Sequence, residues 1–169
     1  ERILIIDFGS QFTQLITRRV REANVYSEIH SHKITFDEIK QFDPTGIILS
    51  GGPMSVYDAD APDLDERILK VKVPILGICY GLQLISKKLG GNVEPAKDSK
   101  SILEVVEKSP LFNGVAVESK VWMSHGDYLT ELPNGFKIIA KSNHSPIGAV
   151  ANELEKIYGV QFHPEVVHT

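Results

Sequence analysis

Residues 73–89 read VPILGICYGLQLISKKL, an apolar run of strand length followed directly by a helical pattern. We predict a buried strand over Val73–Cys79 and a helix over Leu82–Leu89. Cys79 lies at their junction, with Gly77 and Gly81 two positions away on either side. This is the pattern of a nucleophile elbow, in which a strand turns sharply into a helix and the nucleophile projects above the carboxyl edge of a sheet. A lone cysteine is more often a small buried residue, but the strand, the helix and both glycines together favour a nucleophile, whose thiolate form the helix dipole stabilises.

The same strand–helix alternation fills the chain before this segment. Three more strands are predicted over Arg2–Phe8, Val25–His30 and Gly46–Ser50. Helical patterns follow the N-cap candidates Ser10 and Thr35, and another carries Leu64, Ile68 and Leu69. Alternation of this kind predicts an α/β fold with an open, largely parallel, twisted sheet and helices on both faces.

The second half of the chain consists of short β-rich runs with few helical patterns. The predicted strands are Ile102–Val106, Val117–Met123, Phe136–Ala140, Ile147–Ala151 and Ile157–Phe162. We expect them to add antiparallel strands to the same sheet or to cover its edge. No linker or repeat interrupts the pattern, so residues 1–169 are predicted to form a single domain.

Composition excludes several classes of protein. The 169 residues are 42% hydrophobic and carry a formal charge of −4 without a basic run, which argues against a nucleic-acid partner. The longest apolar stretches are far below the roughly 20 residues of a membrane span, and the first residues lack the pattern of a signal peptide. A single cysteine cannot form an internal disulfide. We therefore expect a cytoplasmic protein without a membrane partner.

A cysteine nucleophile needs a base, and the base needs an orienting acceptor. His163 and Glu165 follow the last predicted strand, two positions apart at the edge where the elbow also emerges. Two-residue spacing on an extended segment would point both side chains the same way. Taken alone, His163 is equally consistent with a surface turn. The pair His30 and His32 suggests a metal site only weakly, because no further ligand lies nearby, and a solvated strand end is favoured.

Acyl transfer also needs donors for a developing oxyanion. The amide of Tyr80 directly follows the nucleophile, as in hydrolase elbows. The glycines of Ser50-Gly51-Gly52-Pro53 end the neighbouring strand and can turn amides toward the same point, although a plain Gly-Pro turn is common. The chemistry requires a sulfur that is ionised, reachable from solvent and in contact with the imidazole of His163.

These motifs resemble the class I (triad) glutamine amidotransferases. Residues 77–83, GICYGLQ, are similar to the nucleophile motif of that family, residues 50–53, SGGP, to its oxyanion strand, and residues 161–165, QFHPE, to its base–acid motif. Residues 6–11, IDFGSQ, residues 15–19, LITRR, and residues 121–127, VWMSHGD, are most similar to the glutaminase domains of GMP synthases. The resemblance covers essentially the whole chain.

The resemblance implies hydrolysis of glutamine to glutamate and ammonia through a cysteinyl thioester. It implies that Cys79 attacks, that His163 transfers protons and that Glu165 orients His163. The implied oxyanion donors are the amides of Gly52 and Tyr80, and the implied glutamine-binding residues are Gln83, Ser124, Gly126 and Asp127. No metal or cofactor is implied for this chain. ATP and Mg²⁺ are expected only in an ATP-pyrophosphatase (synthetase) partner, which would use the ammonia to aminate XMP to GMP.

Two features depart from the family pattern. Residues 95–101, PAKDSKS, are shorter than the corresponding family segment and lack its tyrosine and glycine. No pyrophosphate loop is present, so the synthetase domain is expected to be absent from this chain. Two alternatives remain open: a γ-glutamyl hydrolase or cysteine peptidase on the same fold, and a non-catalytic interaction domain. If the chain is a glutaminase, we expect low activity without its partner.

Overall fold

A mixed sheet of nine strands organises the chain. The computed structural model describes residues 1–96, 99–123, 126–143 and 147–166. The strands are β1 (Arg2–Asp7), β2 (Tyr26–Ser31), β3 (Gly46–Leu49), β4 (Ile75–Ile78), β5 (Asn92–Ala96), β6 (Ser99–Val105), β7 (Glu118–Met123), β8 (Gly126–Glu131), β9 (Lys137–Ser142), β10 (Ala149–Asn152) and β11 (Ile157–Val160). The α-helices are α1 (Thr13–Glu22), α2 (Phe36–Phe42) and α3 (Tyr80–Lys88), and short 3-10 helices cover Glu66–Lys70 and Pro110–Phe112.

The strand order separates a parallel half from an antiparallel half. The large sheet runs β2-β1-β3-β4-β11-β10-β9-β6-β7. In this order, the first five strands, from β2 to β11, pair in parallel. The pairs from β11 onward to β7 are antiparallel. The predicted α/β fold is therefore confirmed, and so is the expectation that the later strands extend the same sheet. The carboxyl ends of β1, β3, β4 and β11 meet at one edge.

Side-chain alternation along β1 shows how the sheet divides two apolar layers. Leu4 and Ile6 pack in the layer that contains Ile39 of α2 and the apolar residues of α3. Ile5 points the opposite way, into the layer that contains Ile16 of α1. Helices thus cover both faces, as predicted, because a parallel strand buried on both sides needs apolar partners on each.

The helix starts match the sequence predictions unevenly. Thr35 caps α2 through a capping box, in which its hydroxyl accepts from the amide of Glu38 at 3.1 Å. The expectation that Ser10 caps α1 is wrong, because Phe12 occupies the N-cap position without a side-chain cap. Ser10 instead accepts from the amide of Phe12 at 3.0 Å and shapes the preceding turn. The helix expected around Ile68 is only the short 3-10 segment.

A second, two-stranded sheet escaped prediction. It pairs β5 with β8 in antiparallel fashion, so that Pro95 lies opposite Asp127. Proline inside β5 and the short polar segment around Asp127 both resemble turn sequences, which concealed the strands. The connection between β5 and β6 includes residues 97 and 98, which lie outside the described residues. Within the described part of the chain, no helix is long and apolar enough to cross a membrane.

Candidate active site

Cys79 occupies a strained turn between β4 and α3. Its backbone has φ 51° and ψ −106°, a conformation that a non-glycine residue rarely adopts. The turn is held on both sides, because the Cys79 amide donates to the Val160 carbonyl at 2.8 Å and the Gln83 amide donates to the Cys79 carbonyl at 3.0 Å. Strained backbone that persists in a folded protein concentrates at functional sites.

The two glycines flanking Cys79 allow the helix to lie directly against the strands. A Cβ added to Gly77 would lie 2.7 Å from the Leu82 nitrogen, and one added to Gly81 would lie 2.5 Å from the Leu49 carbonyl oxygen. Neither position has space for a side chain. The elbow geometry predicted from the spacing of the glycines is thus present in the structure.

Strand register brings the second motif beside the cysteine. In the parallel pair β4–β11, Ile78 lies opposite Val160. The residues that follow these two strands therefore emerge together at the carboxyl edge. His163 is fixed there through its amide, which donates to the Trp122 carbonyl at 2.9 Å. For this reason Cys79 and His163, which are more than eighty positions apart in the sequence, share one site.

His163 and Glu165 form a buried pair. Nδ1 of His163 lies 2.8 Å from Oε1 of Glu165, and each residue is only 3% exposed. We predicted that an extended segment would point both side chains the same way. That prediction is wrong, because the backbone over 161–166 bends and turns and is not an extended strand. The ring of Phe12, at the N-cap position of α1, contacts the imidazole edge-on, with centroids 5.6 Å apart, and supports its orientation.

The charge state of His163 follows from these neighbours. Burial by itself disfavours the imidazolium, but hydrogen bonds to Cys79 and Glu165 and the attraction of their charges outweigh burial. Together they raise the pKa of His163 to about 9. At neutral pH the ring is therefore protonated in the resting site. An imidazolium next to a sulfur favours the nucleophilic thiolate form.

The site is more enclosed than the sequence predicted. Cys79 is only 4% exposed, so the expectation of a sulfur that solvent reaches freely is wrong for this conformation. Its surroundings are nevertheless polar on one side, where Nε2 of Gln161 lies 3.7 Å from Sγ.

The glycine turn after β3 passes beside the sulfur and the imidazole. A Cβ added to Gly51 would lie 2.8 Å from Cε1 of His163 and 3.7 Å from Cβ of Cys79. A Cβ on Gly52 would collide with the carbonyl oxygen of Phe8. Tyr80 is the first residue of α3, so its amide has no helical acceptor one turn earlier. The two amides predicted to bind an oxyanion therefore belong to segments that flank the sulfur.

Two of the four residues predicted to bind glutamine, Gln83 and Asp127, contact each other in a polar network with Ser55. Nε2 of Gln83 donates to the carbonyl oxygen of Asp127 at 2.5 Å. The carboxylate of Asp127 accepts from the hydroxyl of Ser55 at 2.5 Å. Gly126 begins β8 directly before Asp127. The predicted residue Ser124 lies outside the described residues.

Sequence reasoning missed two members of this network. Gln161 was part of a quoted motif but received no role, although β11 ends one residue before it, beside the elbow. Its position two residues before His163 was the sequence feature that could have indicated a place in the site. Ser55 carried no signal, because its contact with Asp127 joins a loop to β8 across 72 positions of sequence.

The two candidate metal histidines make separate contacts. Nε2 of His30 lies 3.2 Å from Glu28, whereas the ring of His32 stacks near Phe8. Across the described residues, no group of three or more His, Cys, Asp or Glu side chains is arranged to hold a metal ion.

The chain belongs to the class-I glutamine amidotransferase family, whose model matches residues 4–169. The GMP synthase [glutamine-hydrolyzing] of Listeria innocua is 55% identical over 172 residues, and the alignment covers all of this chain and 33% of that protein. The enzyme of the same name from Streptococcus mutans is 50% identical, with 34% of its length covered. The chain thus spans about a third of the length of these relatives.

Solved structures are similar to this chain over nearly its whole length. A Thermoplasma acidophilum protein provisionally assigned as one of the subunits of a GMP synthase superposes with a TM-score of 0.84 at 32% identity, covering 99% of this chain and 86% of that one. A glutamine amidotransferase of Thermotoga maritima, with a TM-score of 0.74 at 24% identity over 98% and 76% of the two chains, shares the fold.

Proposed function

We propose that this chain hydrolyses glutamine to glutamate and ammonia through a thioester on Cys79. The observation that carries the proposal is the buried Cys79–His163–Glu165 arrangement at a strained strand-to-helix turn. Family membership supports it, because the arrangement occurs in a class-I glutamine amidotransferase domain.

In the first half-reaction, the Cys79 thiolate attacks the carboxamide carbon of glutamine. The amides of Gly52 and Tyr80 donate to the developing oxyanion. His163, protonated at neutral pH, delivers its proton to the departing nitrogen as the C–N bond breaks. Ammonia leaves, and a γ-glutamyl thioester and a neutral imidazole remain.

In the second half-reaction, the neutral imidazole accepts a proton from water as the water oxygen attacks the thioester. The C–S bond breaks, glutamate leaves, and the imidazolium and thiolate are restored. Glu165 stabilises the protonated ring and fixes its orientation through the 2.8 Å contact with Nδ1. One proton therefore moves between His163 and the substrate in each half-reaction.

Substrate recognition is assigned to the polar network beside the sulfur. Glutamine carries an α-ammonium and an α-carboxylate, which require charged and polar partners and not an apolar pocket. The Asp127 carboxylate is suited to the ammonium group, with Gln83, Gly126 and Ser124 completing the binding set.

The ammonia is assigned to a synthetase partner that aminates XMP to GMP in an ATP-dependent reaction. The names and lengths of the relatives support this assignment, because this chain covers only a third of each glutamine-hydrolysing GMP synthase. ATP and Mg²⁺ would then act in the partner, and this chain would need no cofactor. A cytoplasmic location agrees with this role.

A glutamine-like electrophile tests the nucleophile directly. Acivicin should add once to the chain, at Cys79, and excess glutamine should slow the addition. Cys79→Ser serves as the control, since Cys79 is the only cysteine. Peptide mass spectrometry locates the adduct. An adduct on another residue, or none in the unmodified chain, contradicts the proposal.

Two further measurements address the alternatives. Faster turnover of γ-glutamyl peptides than of free glutamine would favour a γ-glutamyl hydrolase or peptidase. Absence of binding heat when glutamine is titrated into Cys79→Ala would favour a non-catalytic domain. Because Cys79 is only 4% exposed, we also expect slow turnover by the chain alone and faster turnover with the synthetase and its nucleotides present.

A further inference from the structure

The side chain of Gln161 joins the nucleophile to the substrate-binding network. Gln161 is 6% exposed and follows β11 directly. Its Nε2 lies 3.7 Å from Sγ of Cys79 and 3.3 Å from the carbonyl oxygen of Asp127. Both amide protons therefore have acceptors, one on the sulfur and one on the backbone of β8.

The orientation of this amide is determined by its surroundings. A carbonyl oxygen cannot donate, so the end of the Gln161 amide that faces the Asp127 carbonyl must be the nitrogen. The opposite end, Oε1, is buried and has no hydrogen-bond partner within the part of the chain that the structure describes. A buried acceptor without a donor is unfavourable, and a catalytic role is one reason for which such a group is kept in a folded protein.

We infer that Gln161 is an additional member of the reaction centre with two functions. Its Nε2 donates to the Cys79 sulfur and holds the thiolate for attack. Its Oε1 accepts a hydrogen bond from the carboxamide nitrogen of glutamine, and then from the ammonia formed from it. This inference rests on the proposed role of Cys79 as the nucleophile.

The proton balance leaves Gln161 unchanged during the reaction. The S–C bond forms, the C–N bond breaks, and His163 supplies the proton that converts the departing nitrogen to ammonia. Oε1 accepts a hydrogen bond from that nitrogen throughout but takes no proton. The amide thus distinguishes a carboxamide substrate from a carboxylate, because a carboxylate oxygen has no proton to donate to Oε1.

Gln161→Met tests the inference, because it removes the donor and the acceptor while keeping an unbranched side chain of similar length. Gln83→Met is the matched control, since Gln83 also donates to the Asp127 carbonyl but is assigned no contact with the sulfur. Thermal unfolding shows whether both variants remain folded.

Three readouts separate a role at the sulfur from a structural one. The first is the rate of Cys79 alkylation by iodoacetamide as a function of pH, which reports on the sulfur without glutamine. The second is the ultraviolet absorbance of the thiolate over the same pH range. The third is kcat and KM for glutamine.

We expect Gln161→Met to slow alkylation at neutral pH about ten-fold and to shift the alkylation and absorbance profiles to higher pH, because a hydrogen bond to the thiolate is lost. kcat for glutamine should fall more than alkylation does. Gln83→Met should leave both sulfur profiles unchanged and should raise KM.

The inference is overturned if Gln161→Met keeps the unmodified pH profiles and kcat, or if Gln83→Met shifts the sulfur profiles equally. The second result would mean that the effect passes through the Asp127 backbone. Failure of the proposed function is a different result, namely that acivicin leaves Cys79 unmodified in the unaltered chain.

Discussion

A methyl group added at Gly51 should disable the site through the position of the imidazole. The alanine Cβ in Gly51→Ala would lie 2.8 Å from Cε1 of His163, about 0.6 Å inside ordinary van der Waals contact. The imidazole cannot easily retreat, because Glu165 holds Nδ1 at 2.8 Å and the Trp122 carbonyl holds the backbone amide at 2.9 Å.

The size of the effect follows from this overlap. A displacement of about 1 Å at a catalytic group can lower the rate about 100-fold, so a shift of about 0.6 Å should lower glutamine hydrolysis roughly ten-fold or more. Overpacking of a close-packed region destabilises a protein by about 1–3 kcal/mol. The variant should thus remain folded but should lose most of its activity.

Glutamine hydrolysis and Cys79 alkylation measure the function of Gly51→Ala, and urea unfolding measures its stability. Gly114→Ala is the control. Gly114 has φ 79° with nothing within 4 Å of an added Cβ, so alanine there strains the backbone without touching the site. Both variants should lose stability, but only Gly51→Ala should lose activity.

The reasoning would be refuted if Gly51→Ala hydrolysed glutamine within two-fold of the unmodified rate. That result would mean that the imidazole tolerates the added methyl group. It would also be refuted if both variants lost activity in proportion to their loss of stability, since position would then be irrelevant.

Three other substitutions and one change of pH have defined outcomes. Glu165→Gln should lower the pKa of His163 from about 9, as followed by NMR, because a favourable negative charge is removed. In the unmodified chain, the unfolding free energy should fall by up to roughly 3 kcal/mol as the pH rises from about 6.5 to about 9, because folded His163 keeps a proton that the unfolded chain releases. This dependence on pH should be weaker in Glu165→Gln. An unchanged dependence would contradict the role of Glu165 in raising the pKa of His163. Ser55→Ala should raise KM for glutamine about three- to ten-fold with little change in kcat, because Asp127 loses its 2.5 Å partner; a lower KM would show that Ser55 competes with substrate. Thr35→Ala should lower the unfolding free energy by about 1 kcal/mol in urea titration without affecting glutamine turnover, and a loss of turnover would argue against a purely local cap.

The sequence was sufficient for features that depend on local spacing. Gly77 and Gly81 around Cys79 predicted a strand-to-helix elbow, because only residues without a side chain fit where the helix meets the strands. Thr35 identified the start of α2 for the same kind of reason, since an N-cap residue directly precedes the helix that it caps, and the structure adds Glu38 to complete a capping box. Short apolar runs likewise predicted the strands on both sides of the elbow.

Features that depend on strand order and on polar contacts across the sheet required the tertiary structure. The pairing of β4 with β11 places Gln161 next to the sulfur of Cys79. Asp127, in the β8 strand that pairs with β5, contacts Gln161 through its carbonyl oxygen. Neither sequence spacing nor residue type specifies which distant strands become neighbours.

The amino-acid sequence by itself predicted the candidate catalytic groups of this protein, namely a cysteine, a histidine and a carboxylate in segments that end at one sheet edge. Only the tertiary structure decided how enclosed the sulfur is, the charge on His163, and that Oε1 of Gln161 has no partner among the residues that the structure describes. Burial and charge interactions depend on atoms contributed by the whole fold, and their strength changes with the dielectric surroundings that packing creates.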